Sequence, residues 1–162
     1  VFACRAVAGQ TLQNAPFTLK TGAFLKLARQ HAQGASKVYG FVGKRDANGT
    51  ACSLIVTIID FKPKGRKNAY MSTRQVLDTS MTQSRKLYKG FKSGPIGKMQ
   101  VNGLQFISCP WTAKSGPMTL KGVWYCARKN NTFITILIQD VNPNANKTLP
   151  KCEAVIKSFK LK

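Results

Sequence analysis

The most regular hydrophobic patterning lies in the C-terminal half of the chain. Lys98 to Asn102, Leu104 to Thr112, Met118 to Arg128 and Thr132 to Val141 are rich in β-branched and aromatic residues. The links between them, Asn102-Gly103, Ser115-Gly116-Pro117 and Asn130-Asn131, are turn formers, so the pattern predicts four successive strands. Pro110 has no N–H to give a ladder and predicts an edge position or a bulge within the second strand. Earlier, Lys37 to Lys44 and Ala51 to Phe61 predict a hairpin across Asp46-Ala47-Asn48-Gly49. Leu54 to Ile59 is almost unbroken apolar sequence, the mark of a central strand covered on both faces.

Three segments carry helical spacing. Thr21 to Gln33 holds Phe24, Leu25, Leu27 and Ala28 among good helix formers and is followed by Gly34, which predicts a helix and its stop. Ala69 to Phe91 is the longest helical candidate. Leu149 to Lys160 places Cys152, Val155, Ile156 and Phe159 on an i, i+3, i+4, i+7 stripe, with Pro150 in the first turn. Residues 1–20 read as an irregular lead-in and 21–162 as one domain. The expected class is α+β, an antiparallel sheet of about six strands flanked by helices.

Composition changes this picture in one respect. The chain has 162 residues with 26 Lys plus Arg against five Asp plus Glu, a formal net charge of +21, while 43% hydrophobic content excludes wholesale disorder. The imbalance comes from missing acids, Glu153 being the single glutamate. Asp46, Asp60, Asp78, Asp140 and Glu153 fall at no motif spacing, which weighs against paired-carboxylate hydrolysis, calcium loops and two-metal phosphoryl transfer. There is no CxxC or Cys/His cluster, and His31 is the lone histidine, near a predicted helix end among polar residues. No glycine-rich phosphate loop or hydrolase signature occurs. The expectation is a non-enzymatic protein with neither cofactor nor metal.

Five cysteines, Cys4, Cys52, Cys109, Cys126 and Cys152, leave an odd thiol in a monomer. Cys109 and Cys126 flank a turn and form the best candidate disulfide; the competing reading makes each a small buried hydrophobe. Ala6-Val7-Ala8 has the small-x-small form of a signal-peptidase site, and no apolar run reaches the ~20 residues of a membrane span. A secreted or periplasmic location is expected.

Candidate chemistry is concentrated between residues 62 and 98. On a helical wheel of Ala69 to Phe91, Val76, Leu77, Met81, Ser84, Leu87, Tyr88 and Phe91 fill one arc. Arg74, Arg85, Lys86, Lys89 and, with the helix running slightly on, Lys92 gather opposite, with Asp78 the only acid among them. A core-facing stripe explains the apolar half. It leaves unexplained why these cations lack glutamates at i±4, an arrangement that repels by a few tenths of a kcal/mol per like pair and that an anionic partner relieves. Just upstream, Lys62, Lys64, Arg66 and Lys67 flank two backbone breakers, Pro63 and Gly65. This is a phosphate-binding candidate beside a helix N-terminus, or alternatively a solvated loop.

The order of elements resembles the PsbP-like (Mog-one-like) family. The resemblance is carried by Val38-Tyr39-Gly40-Phe41 with Leu54-Ile55-Val56, by Val101-Asn102-Gly103-Leu104 after the long helix, and by Ala154-Val155-Ile156-Lys157-Ser158-Phe159 at the close, covering about residues 37–160. It implies an α/β/α sandwich without catalytic machinery that docks proteins or ligands. Since the fold does not select the function, no functional residue is carried over from it. The leading expectation is an exported binding protein, a secreted bacterial effector being one form of it. Its basic patches would engage an anionic membrane surface, a phosphoinositide or an acidic protein. The alternative is a nucleic-acid binder: nonspecific, salt-sensitive affinity is expected from charge alone, but specific recognition needs aromatics among the cations.

Overall fold

The computed structural model describes residues 12, 14–60 and 71–162. Eight antiparallel strands form its main sheet: β2 (Lys26–Gln33), β3 (Ser36–Val42), β4 (Ser53–Asp60), β5 (Lys89–Ser93), β6 (Gly97–Val101), β7 (Leu104–Ser115), β8 (Met118–Lys129) and β9 (Thr132–Val141). They are ordered β2-β3-β4-β9-β8-β7-β5, with β6 pairing separately to β7. Helix α1 (Thr73–Leu87) packs on β5, β7 and β8, and α2 (Ala145–Ile156) packs on β8 and β9. A small ribbon joins β1 (Phe17–Thr18) to β10 (Lys160–Leu161).

Each helix covers its own face of the sheet, and the apolar residues divide accordingly. Leu54, Val56 and Ile58 of β4 join α2's Val155 and Ile156, while Ile55 and Ile59 face α1's Val76, Leu77 and Met81. The unbroken apolar run of β4 is therefore a strand buried from both sides, as its sequence predicts. Part of the expected lead-in is core: Leu12, Ala15, Phe17 and Leu19 are buried on the α2 side.

Several expectations are corrected. The sheet has eight strands rather than about six. Thr21 to Gln33 is not a helix: Lys26–Gln33 is an edge strand, and Gly34 (φ 57°) opens a two-residue turn into β3 instead of capping a helix. Glycine after a run of mixed residues serves either role, and the backbone ladder with β3 decides between them. The long helix is shorter at both ends. It starts behind a capping box in which Ser72 Oγ accepts from the Gln75 N–H (3.1 Å) and Gln75 Oε1 accepts from the Ser72 N–H (2.7 Å). It stops because Tyr88 is extended, and the chain passes through Gly90 (φ 61°) into β5. Leu87, on the predicted apolar arc, is left 76% exposed. Helix α2 begins earlier than expected, so Pro150 lies inside it, and Phe159 reaches the core from beyond its end.

Pro110 explains how β7 takes two partners on one side. Strand β6 pairs with Leu104 to Ser108 and β5 with Trp111 to Lys114. Pro110 falls in the gap between them, where its missing N–H costs no ladder bond and its carbonyl accepts from the Gly94 N–H at 2.8 Å.

Candidate functional site

The five cations predicted to share one helical face are divided by the sheet. Arg74, Arg85 and Lys86 stay on α1. Arg74 is occupied by Asp78, with Nε 2.9 Å from Oδ1, and the Arg85 guanidinium lies over the Phe91 ring at 5.8 Å. Lys89 and Lys92 belong to β5 and point to the other side of the sheet. The cause is the bulge at Gly90-Phe91: Phe91 turns under α1, so the lysines flanking it pair with Lys114 and Thr112, whose side chains face the α2 side. Lys62, Lys64, Arg66 and Lys67 lie outside the described residues.

What the register brings together is a different basic group. Lys89 stands directly opposite Lys114, and Lys92, Thr112 and Lys121 form one row across β5, β7 and β8. Adjacent strands are about 4.8 Å apart and alternate residues about 6.7 Å, so the four lysines spring from a patch roughly 10 by 7 Å. Helix α2 packs on β8 and β9 and not on the neighbouring β7 and β5, leaving a shelf. Set into it is an apolar-surfaced cavity of about 420 Å³, lined by Pro110, Trp111, Val123 and Leu149 together with Lys92 and Lys121. No acid lines it. The Lys121 ammonium donates to Asn146 Oδ1 at 2.9 Å, which holds one cation at the rim. Asp140, opposite Lys121 in register, is buried and turned instead to the Thr148 hydroxyl (2.6 Å) and the Val141 N–H (2.8 Å).

Directly behind the shelf the sheet is closed. Trp111 is 2% exposed, its ring stacked on Tyr88 (5.6 Å) and Phe91 (5.5 Å) under α1. Gly122 lies opposite it, where a Cβ would come within 2.5 Å of the indole. Both aromatics nearest the predicted cations are thus consumed in core packing.

Sequence reasoning missed Lys114 and Lys121. The signal was present: they flank the Ser115-Gly116-Pro117 turn, and alternation from that hairpin puts both on one face with Thr112. The expected Cys109–Cys126 disulfide is also corrected. Both thiols are free and buried on the α1 side, but Cys109 faces Trp124 and Cys126 faces Ile107. That makes them a diagonal pair, about 7–8 Å apart and beyond the usual reach of a disulfide. Burial raises both thiol pKa values, that of Cys126 to about 12.

No protein-family model matches the chain, and no curated protein matches it in sequence. Solved structures do match it in fold. A Pseudomonas aeruginosa protein of unknown function, PA94, aligns with a TM-score of 0.59 at 10% identity, over 83% of this chain and 95% of that one. LpqN, involved in cell envelope biogenesis of Mycobacterium tuberculosis, aligns at 0.54 and 8%, over 91% and 86%. The cyanobacterial PsbP of Synechocystis aligns at 0.53 and 11%, over 95% and 98%. At these identities the likeness is one of fold, and the fold of this chain is PsbP-like.

Proposed function

We propose that the protein is an exported, non-enzymatic binding protein whose basic shelf engages anionic lipid at a membrane surface. The observation that carries this reading is the pairing of four lysines, Lys89, Lys92, Lys114 and Lys121, with an acid-free apolar cavity. Directly opposed like charges destabilise a sheet, and clustered cations gain roughly 1 kcal/mol each beside acidic lipids. The cavity accepts apolar material next to the charge, which suits an amphiphile better than a free anion. Tyr88 and Phe91 are stacked on Trp111 on the opposite face, and Trp111, the aromatic in the cavity lining, is too buried to offer bases a stacking platform, which favours lipid over nucleic acid. None of the helices among the described residues is long and apolar enough to cross a membrane. The envelope role of LpqN is in keeping with an exported protein.

The test is co-sedimentation with phosphatidylcholine vesicles, with and without phosphatidylglycerol, at about 0.15 M salt beside a mixed-sequence oligonucleotide. Binding should require the acidic lipid, and the double variant Lys92→Glu/Lys121→Glu should weaken it more than about tenfold. Reversal of Lys64 and Arg66 measures the upstream loop separately. Retention of vesicle binding by the shelf variant would overturn the assignment. Parallel loss of vesicle and oligonucleotide binding with rising salt would reduce it to generic electrostatics.

A further inference from the structure

On the other flank of α2 a second cleft, of about 410 Å³, reaches the first of two neighbouring thiols. Cys52 lines it just before β4, and Cys152 sits on α2 one turn beyond Thr148, whose hydroxyl grips Asp140. Cys52 and Cys152 are neighbouring thiols of one buried cluster, the first 3% exposed and the second fully buried. Cys52 is held in place from behind: the Gly43 N–H donates to its carbonyl at 2.9 Å, and a Cβ on Gly43 would come within 2.6 Å of its Sγ. The cleft is lined by Lys44, Lys147 and Lys151, the last with its ammonium 5.6 Å from the Phe24 ring centroid, and by Asp46 and Asp140, whose carboxylates are taken up by hydrogen bonds from Thr50 and Thr148.

Position makes the two thiols unequal. The hydrogen bond from Cys152 lowers the pKa of Cys52 despite partial burial and the nearby Asp140 charge; the same hydrogen bond, with desolvation, raises that of Cys152. The nucleophile in thiol exchange is the thiolate, and Cys52 is the one that reaches the cleft.

We propose that Cys52 and Cys152 form a redox-active dithiol that exchanges with small anionic disulfides and closes to a bridge between the start of β4 and α2. The Cys52 thiolate attacks one sulfur of the disulfide, forming a mixed disulfide and releasing one thiolate. Cys152, giving up its proton, then attacks the Cys52 sulfur and releases the second. One small disulfide is reduced to two thiols, and the protein loses two hydrogens. Three lysines against two hydrogen-bonded carboxylates, Asp46 and Asp140, leave the cleft with an excess of positive charge that favours an anionic reactant such as oxidised glutathione. This inference does not depend on the lipid shelf.

The reduced full-length chain is incubated with oxidised glutathione and examined by intact mass and peptide mapping. The expected product has lost two hydrogens, carries no adduct and yields a Cys52–Cys152 linked peptide. Reaction should slow severalfold with the neutral hydroxyethyl disulfide and further with cationic cystamine. Cys152→Ser should stop at a glutathione adduct on Cys52, and Cys52→Ser should leave Cys152 unmodified. Because the bridge closes a loop of about 100 residues, it should raise the thermal midpoint by on the order of 10 °C, readable on wild-type protein alone. A persistent adduct on the wild type, a bridge between other cysteines, or unreacted thiols where free cysteine is oxidised would each overturn the proposal.

Discussion

Strand β7 has two faces that meet different fates within six residues. Cys109, Trp111 and Ala113 are buried beneath α1, whereas Pro110, Thr112 and Lys114 look out on the α2 side, where α2 packs on β8 and β9 rather than on β7. The closed face spends its aromatics on each other: Trp111, Tyr88 and Phe91 stack, and Ser84 of α1 accepts from the Trp124 indole N–H at 3.0 Å. The open face gathers lysines and an apolar cavity. One strand thus supports stability on one side and the candidate site on the other. The difference arises from which strands each helix covers, not from a change in the strand.

The comparison is broken most severely from the closed side. Trp111→Ala removes a buried indole and the partner of two rings, and should cost about 3–5 kcal/mol in urea unfolding. A cost below about 1 kcal/mol would mean that α1 does not depend on this stack.

The boundary of the open side is tested next. Asp46 accepts from the Thr50 hydroxyl (2.7 Å) and N–H (2.9 Å), the Asn48 N–H (2.9 Å) and the Asn144 side-chain amide (2.6 Å), so it ties the β3–β4 turn to the residue preceding α2. These bonds, that of the Thr50 side chain foremost, hold its pKa below the ordinary carboxylate value. A lowered folded-state pKa gives stability that is complete above the unfolded value near 3.9 and is lost as pH falls through the folded value. Asp46→Asn should therefore lower the thermal midpoint by a few degrees at neutral pH, and the gap to wild type should close in acid. A gap independent of pH would show that the charge is not what anchors α2.

The smallest effect sharpens the contrast most. Lys114→Glu turns a like-charged cross-strand pair with Lys89 into an opposite one, and should raise stability by about 0.2–1 kcal/mol while weakening acidic-vesicle binding. Stability and binding moving in the same direction would argue that the lysines are not held together for an anion.

The meander was legible because its information is local. Asn102-Gly103 specifies its own turn, with Asn102 at φ 46° and Gly103 at φ 80°, and Asn102 Nδ2 then donates to the Phe159 carbonyl at 2.7 Å, a contact that spacing does not reveal. The β3–β4 hairpin and the two-sided burial of Leu54 to Ile59 were readable for the same reason. Strand β2 was not, because Arg29, Gln30 and Gln33 are exposed in either conformation and only pairing with β3 selects the strand. The true start of α1 was legible after all, since Ser72 and Gln75 stand at capping-box spacing.

By itself the sequence determined the C-terminal meander, the β3–β4 hairpin and their turns, the apolar stripes of both helices and the scarcity of acids, all properties of neighbours along the chain. Only the tertiary structure decided which cations share a surface. A single bulge at Gly90-Phe91 sends Lys89 and Lys92 through to the far side of the sheet, and cross-strand register supplies Lys114 and Lys121 from sequence positions more than twenty residues away. Register is set by burial of one face at a time, so the grouping of the opposite face follows from packing that no local window contains.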